Sequence, residues 1–383
     1  MSDHARILIA GAGIGGLALA QALRHGGYDV VVFERDPTPR TRDQGYRLHL
    51  DPNGNAALRT CLPRQVLDRV RSTSGVNGDL VAAYTHRLEQ VMAQTFPAIT
   101  SDEITHVDRD TLRQGLLAGL GDSVRFDRTV TGYQITASGR VRVEFLDGGS
   151  DEGDLLVGAD GVRSAVRRQL LPHATTRDVG LRCIYGRMTI NETTDALIPD
   201  DFDRGFCWVA DDKGYGAGFA TVRFRSRPDG ASDYLMTTLV ATPDRLGVTD
   251  ETLFALPSED LRQIAVQATV DWHPAVRQLF AHADTETFFP ITIRASERVD
   301  AWEAGPVTLL GDAIHTMPPT GGVGANTALQ DAATLAGELV AAADSGRPLV
   351  EAVAAYERVM LPRGFDTIEN SLRMAERMVA TSD

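Results

Sequence analysis

The stretch RILIAGAGIGGLALAQALRHGGYDVVVFER, from Arg6 to Arg35, constrains the chain more than any other. RILIA is a short apolar run of the kind that forms a strand buried on both faces. LALAQALRH has helical spacing, with Leu17, Ala20 and Leu23 on one inward face, and Gly26 and Gly27 supply a stop. YDVVVFER reads as a second buried strand that ends at Glu34. Between the first strand and the helix, Gly11, Gly13 and Gly16 stand in the pattern G-x-G-x-x-G, with Ile14 and Gly15 inside the same turn. Together these make a βαβ unit for a dinucleotide. The first glycine allows the tight turn, the second lets backbone approach a pyrophosphate, and the third lets helix and strand pack closely. The helix N-terminus faces the phosphate charge. Glu34 is placed to accept hydrogen bonds from a ribose, and its charge disfavours a 2′-phosphate there.

Two other readings of this stretch fail. A secretory signal would not crowd its apolar centre with glycines or continue into a second strand. A membrane span needs roughly 17–25 apolar residues, and the interval between Arg6 and Arg24 lies at the bottom of that range with Gln21 inside it. At 383 residues, 43% hydrophobic and 23% charged, the chain can bury a large core. Its net charge of −14 argues against nucleic acid or anionic lipid as partners while allowing a local basic pocket. Cys61, Cys183 and Cys207 are far apart and form no C-x-x-C pair, so isolated thiols in a reducing compartment, the cytoplasm, are expected. No metal site is expected, because no His/Cys cluster has ligand spacing.

DLLVGADGVRSAVR, from Asp154, reads as a strand, an Asp160-Gly161 turn and a helix. GPVTLLGDAIHTMPPTGGVGANTALQDAATLAGEL, from Gly305, reads as a buried strand, Gly311-Asp312, a Pro-Pro turn, a glycine-rich loop and a long helix. With these two motifs following the first in this order, the chain resembles the class A FAD-dependent aromatic monooxygenases, the group of para-hydroxybenzoate hydroxylase and the tetracycline-inactivating monooxygenases. The resemblance covers about Ile7 to Gly337. It implies FAD as cofactor, with NADPH or NADH as a transient co-substrate that has no glycine motif of its own.

The resemblance also implies residue roles. Asp312 would hold the ribityl hydroxyls. Pro319, Gly322, Gly324, Ala325 and Asn326 would present backbone to the flavin pyrimidine edge at a helix N-terminus, where the dipole suits negative charge. Asp160 would brace the cofactor site, the plainer alternative being a helix N-cap. Arg109, at the head of an amphipathic helix, would reach the pyrophosphate, or else be a surface helix charge. Arg42 would lie beside flavin and substrate, with Arg47 a rival for that place. Arg35 would stack on adenine or face solvent. Tyr185, Arg187, Trp208, Phe219 and Phe289 are candidates for the substrate pocket or for plain packing. His315 carries no assigned role, and the catalytic residues stay unknown.

The implied fold class is α/β: a Rossmann-like FAD-binding domain (GR2-type) interleaved with an antiparallel-sheet substrate domain, and a long C-terminal helix. Residues 1–75, 100–178 and 297–345 would form the FAD-binding domain, 76–99 and 179–296 the substrate domain, and 346–383 the helix. The implied chemistry reduces FAD with NAD(P)H and splits O2 between an aromatic or polycyclic small molecule and water, as in natural-product tailoring or antibiotic modification. Hydroxylation, epoxidation and Baeyer-Villiger oxidation all remain open. So do two alternatives, an FAD-dependent reductase or dehydrogenase of the same fold and a non-redox FAD-binding protein. Flavin halogenation loses ground because no W-x-W-x-I-P stretch is present. A monomer or homodimer without a membrane anchor or an added C-terminal domain is expected.

Overall fold

The computed structural model describes residues 5–40, 46–97 and 99–379, the last three of these without their side chains. Arg42 therefore lies outside the described residues. The chain runs β1 (Arg6–Ala10), α1 (Ile14–His25), β2 (Asp29–Phe33), β3 (Arg47–His49), α2 (Pro52–Cys61), α3 (Arg64–Ser72), β4 (Leu80–Thr85), β5 (Gln90–Thr95), β6 (His106–Asp108) and α4 (Arg109–Leu117). Next come β7 (Val124–Arg125), β8 (Val130–Ile135), β9 (Val141–Phe145), β10 (Ser150–Gly153), β11 (Leu155–Gly158), α5 (Ala165–Leu170) and β12 (Thr176–Thr189). Then follow α6 (Asp200–Arg204), β13 (Gly205–Ala210), β14 (Gly216–Val222), β15 (Tyr234–Ala241), α7 (Pro243–Leu246), α8 (Asp250–Ala255), α9 (Ser258–Ala268), α10 (Pro274–Ala281) and β16 (Phe289–Ser296). The last elements are β17 (Val307–Leu309), α11 (Asp312–His315), α12 (Gly324–Ser345) and α13 (Leu349–Val379).

The apolar runs read from sequence become a five-stranded parallel sheet in the order β17-β11-β1-β2-β7. Ile9 of β1 is flanked by Val157 on one side and Val32 on the other, and Ile7 to Ala10 are wholly buried. A strand covered on both faces needs this unbroken apolar composition. Helices α1, α12 and α13 pack successively against one another. The antiparallel meander β8-β9-β10 closes over the sheet through Phe145, whose ring lies 4.8 Å from that of Phe33. Pro362 sits inside α13, which nevertheless runs unbroken. Tyr356 of this helix is wholly buried, and its hydroxyl donates to the Leu309 carbonyl at 2.8 Å.

The second sheet has seven strands in the order β16-β12-β15-β14-β13-β4-β5, antiparallel except for β4 beside β13. Its central strands β14 and β15 are covered on both faces, alternate residues separating them, while the edge strand β5 is exposed. Ile184, Met188, Leu235, Leu239 and Phe219 face a core shared with Phe280 of α10 and Leu261 of α9. Cys183, Tyr185, Tyr234 and Met236 face the other way, with Phe289, Trp208 and Tyr46 packed beside them. This face meets the two-stranded ribbon β3-β6. Among the described residues, no helix is long and apolar enough to cross a membrane.

Candidate cofactor and substrate site

The three motif loops meet at the carboxyl ends of β1, β11 and β17. Gly11 has φ +107°, and a Cβ there would stand 2.4 Å from the Ala159 carbonyl oxygen. A Cβ on Gly16 would stand 2.2 Å from the Gly11 oxygen, and one on Gly15 would meet Leu310 at 2.7 Å. Gly13 differs: its Cβ would meet nothing within 4 Å among the described residues. Gly13 is also the N-cap of α1, and no side chain caps that helix, so the first-turn amides, beginning with Ile14, keep their donors. This is a cradle open to a ligand phosphate.

Glu34 is 6% exposed. One carboxylate oxygen accepts the Ala12 N–H at 2.8 Å and the other accepts the Asp36 N–H at 3.0 Å. It therefore shapes the glycine turn as well as keeping lone pairs for a ribose. Arg35 beside it is exposed. The sequence reading missed Arg113. Its Nε donates to the Ala12 carbonyl at 3.0 Å and its Nη1 to the Pro39 carbonyl at 2.6 Å, while Nη2 lies 3.9 Å from Glu34 and 3.7 Å from Asp36. Its position one helical turn beyond Arg109 was the available signal.

Asp160 makes the capping contacts weighed for it. Oδ2 accepts the N–H of Ala165 at 2.7 Å and of Val166 at 3.4 Å, as a cap does. Oδ1 is sealed from solvent without a donor among the described residues, a state that a ligand hydroxyl or amide would relieve. Gly311 has φ +60°, and Asp312 opens α11 behind it. Solvent reaches Asp312, yet desolvation raises its carboxyl, against the opposing charges of His315 and Arg109. Accessibility together with desolvation describes the floor of a crevice. Arg109, half-buried, shares that crevice, with its guanidinium 5.6 Å from the Tyr46 ring centre.

Two more buried charges escaped the sequence reading. Arg167 donates to the carbonyls of Ala313 at 2.8 Å and Val162 at 2.9 Å, tying the second motif to the third. Asp331 of α12 is wholly buried. It accepts the Gly311 N–H at 2.9 Å, His315 Nε2 at 2.5 Å and Arg363 at 2.9 Å. Burial alone lowers the pKa of His315, but Asp331 and then Asp312 outweigh it and the net shift is upward. His315 is 1% exposed and locked in this network.

In the glycine-rich loop the exposed Pro319 accepts the Gly322 N–H at 3.0 Å. Gly322 has φ +64°, and a Cβ there would meet His49 at 2.9 Å. Helix α12 then starts at Gly324 without a side-chain cap, leaving the Gly324, Ala325 and Asn326 amides as donors along its dipole. The Asn326 side chain is engaged within the chain. Its Nδ2 donates to the carbonyls of His49 and Gly322, both at 3.0 Å, and its Oδ1 accepts the Asp51 N–H at 3.0 Å. It braces the loop and keeps only its backbone N–H for a ligand.

On the sheet side, Tyr185 stacks on Phe289 at 5.5 Å, and Tyr46 covers Tyr185 at 5.0 Å. Arg187 lies over the Tyr234 ring at 5.6 Å. The half-buried Trp208 shares this face. Phe219 does not. It stacks on Phe202 at 5.1 Å and meets Phe280 edge-on at 5.5 Å, on the helical side of the sheet. Across the β13-β14 hairpin Phe219 pairs with Cys207 and Trp208 with Gly218, so Phe219 and Trp208 point to opposite faces of the sheet.

The converging loops define a dinucleotide-binding flavoprotein site, and the comparisons extend that statement. The family model described as FAD binding domain matches residues 4–371. The dual O-methyltransferase/FAD-dependent monooxygenase CTB3 of Cercospora beticola is 32% identical over 98% of this chain and 46% of its own length. The aurachin C monooxygenase/isomerase of Stigmatella aurantiaca is 28% identical over 98% of this chain and 90% of its own. Klebsiella pneumoniae HpxO, solved with FAD and uric acid, superposes with a TM-score of 0.80 at 25% identity, over 100% of this chain and 90% of that one. The chain belongs to the FAD-dependent monooxygenase family. It spans about half the length of the fungal relative. FAD is the family's cofactor, and the open Gly13 cradle, the partnerless Asp160 oxygen and the uncapped start of α12 fit it.

Proposed function

We propose that the chain is a monooxygenase that uses NAD(P)H and O2 to insert one oxygen atom into an aromatic or polycyclic small molecule. Bound FAD supplies the redox chemistry, passing electrons from the nicotinamide to O2. The chain's own residues do the rest. The α1 and α12 amides, Glu34, Asp160, Arg109 and Asp312 would bind and orient the cofactor. Tyr46, Tyr185 and Phe289 would hold a planar ring and keep water out. The observation that carries the reading is this aromatic wall on the sheet face that meets the cofactor-side ribbon. It offers planar apolar surface where a ring has to approach the flavin. A cytoplasmic setting fits the three buried free cysteines. Hydroxylation, epoxidation or ring expansion is set by the substrate.

The test is NADH and NADPH consumption under ¹⁸O2 against a panel of phenols, naphthols and fused-ring polyketides. One labelled oxygen per product is expected. A turned-over substrate whose product carries no label would make the chain a reductase or dehydrogenase of this fold. Failure of NAD(P)H to reduce the bound flavin with any ligand would leave a non-redox FAD-binding protein.

A further inference from the structure

Arg47 opens β3, directly opposite Asp108 of β6 in the ribbon. An arginine in such a place ordinarily pairs with its neighbouring carboxylate. Asp108 is already committed: Oδ1 caps α4 through the Thr111 N–H at 2.8 Å, and Oδ2 accepts the Tyr234 hydroxyl at 3.0 Å. Among the described residues, no hydrogen bond or ion pair engages the Arg47 guanidinium, and its Nε is sealed from solvent without an acceptor. Burial pushes its pKa down to about 10.

Desolvation, and then the charge of Arg47, lowers the pKa of both His49 and His106, and Arg187 lies across the Tyr234 ring. The Nε1 of Trp208, on the same face as Tyr234, is a second buried donor without an acceptor. Two buried donors, Arg47 Nε and Trp208 Nε1, thus lack an acceptor among the described residues on a face lined by aromatic rings. Leaving a buried charge unpaired is costly, and an anionic ligand removes the cost.

Resting on the monooxygenase reading, we infer that the crevice between the β3-β6 ribbon and the Tyr185–Tyr234 face is an oxyanion subsite centred on Arg47, and that the substrate is an aromatic acid or an acidic phenol. Two sources could supply the anion, the substrate or an FAD phosphate, and the test separates them. The probes are benzoate, 2-naphthoate and anthraquinone-2-carboxylate, each against its carboxamide, titrated calorimetrically into the FAD-loaded full chain. Acid and amide match in shape and differ in charge. At least one acid should bind about tenfold or more tighter than its amide. Arg47→Met should erase that preference with FAD per chain unchanged, and Arg47→Lys should restore part of it.

Equal binding of acids and amides, binding of none of the acids up to millimolar concentration, or a preference that survives Arg47→Met would each overturn the subsite. Loss of FAD in Arg47→Met would overturn it too, assigning the cation to the cofactor. A wild-type chain that takes up no FAD would instead fail the oxygenation reading. Calorimetry needs no flavin, so the acid preference is read on that chain all the same.

Discussion

At the scale of single residues, the four glycines of the first motif are not equivalent. Gly13→Val should give a folded chain that no longer binds FAD, since the new side chain meets only the ligand's space. Gly16→Val should unfold the chain, because its Cβ would stand 2.2 Å from a backbone oxygen. Thermal denaturation of the two apo proteins beside flavin absorbance after reconstitution checks the pair; FAD retained by Gly13→Val refutes the cradle. Glu34→Arg should weaken FAD binding through the lost ribose acceptor, worth roughly 1–3 kcal/mol. It should also loosen the turn, since the Ala12 N–H loses its partner and the new cation faces Arg113. Isothermal titration with FAD and urea unfolding of the apo chain measure the two effects separately. The glycines, Glu34, Asp160 and Asp312 were legible because backbone geometry and ligand chemistry restrict those positions to few residue types. Arg113, Arg167 and Asp331 were not, because a charge on a helix looks like a solvated face until the helix is docked.

At the scale of elements, those three charges each fasten one motif loop to a helix. Asp331→Asn keeps the shape but leaves Arg363 and His315 without their counter-charge. Removing one partner of a buried pair costs roughly 3–5 kcal/mol, and the partial exposure of Arg363 places the loss at the low end. Urea unfolding of the apo chain should show it, and an unchanged midpoint would mean that the network contributes no stability. The seven-stranded sheet gives a sharper contrast. Phe219→Ala should destabilise by roughly 3–5 kcal/mol and leave aromatic-ligand affinity untouched, whereas Phe289→Ala should weaken that affinity. Calorimetry on both variants decides, and a ligand effect from Phe219→Ala would reverse the assignment of faces. Strands β14 and β15 are buried on both faces. The sequence pattern could not say which apolar residues face the ligand.

At the scale of the whole molecule, the terminal helix joins stability to pH through Glu357. Burial raises its carboxyl to about 7, while the Thr308 hydroxyl, donating at 2.7 Å, opposes the rise. A folded-state pKa above the unfolded value means the native chain binds the extra proton. This contribution is therefore complete at low pH, falls as pH climbs from about 4.5 through about 7, and stays lost above that. The span is at most about 3 kcal/mol. Glu357→Gln should remove it, so the variant's melting temperature should gain on wild type between pH 5 and pH 8. A gap that stays constant with pH would show that Glu357 titrates normally.

The strand order β17-β11-β1-β2-β7 also has a consequence in time. β1 is made first, but its neighbour β11 comes far later and β17 completes the edge only near residue 309. At about 5–20 residues per second of synthesis, the first βαβ unit waits on the order of 15–60 s for the strands that seal it. During that wait the apolar faces of Ile7 to Ala10 are open to any passing hydrophobic surface. Protein made with a chaperone in attendance to cover those faces should therefore reach the native state in higher yield than protein made without one.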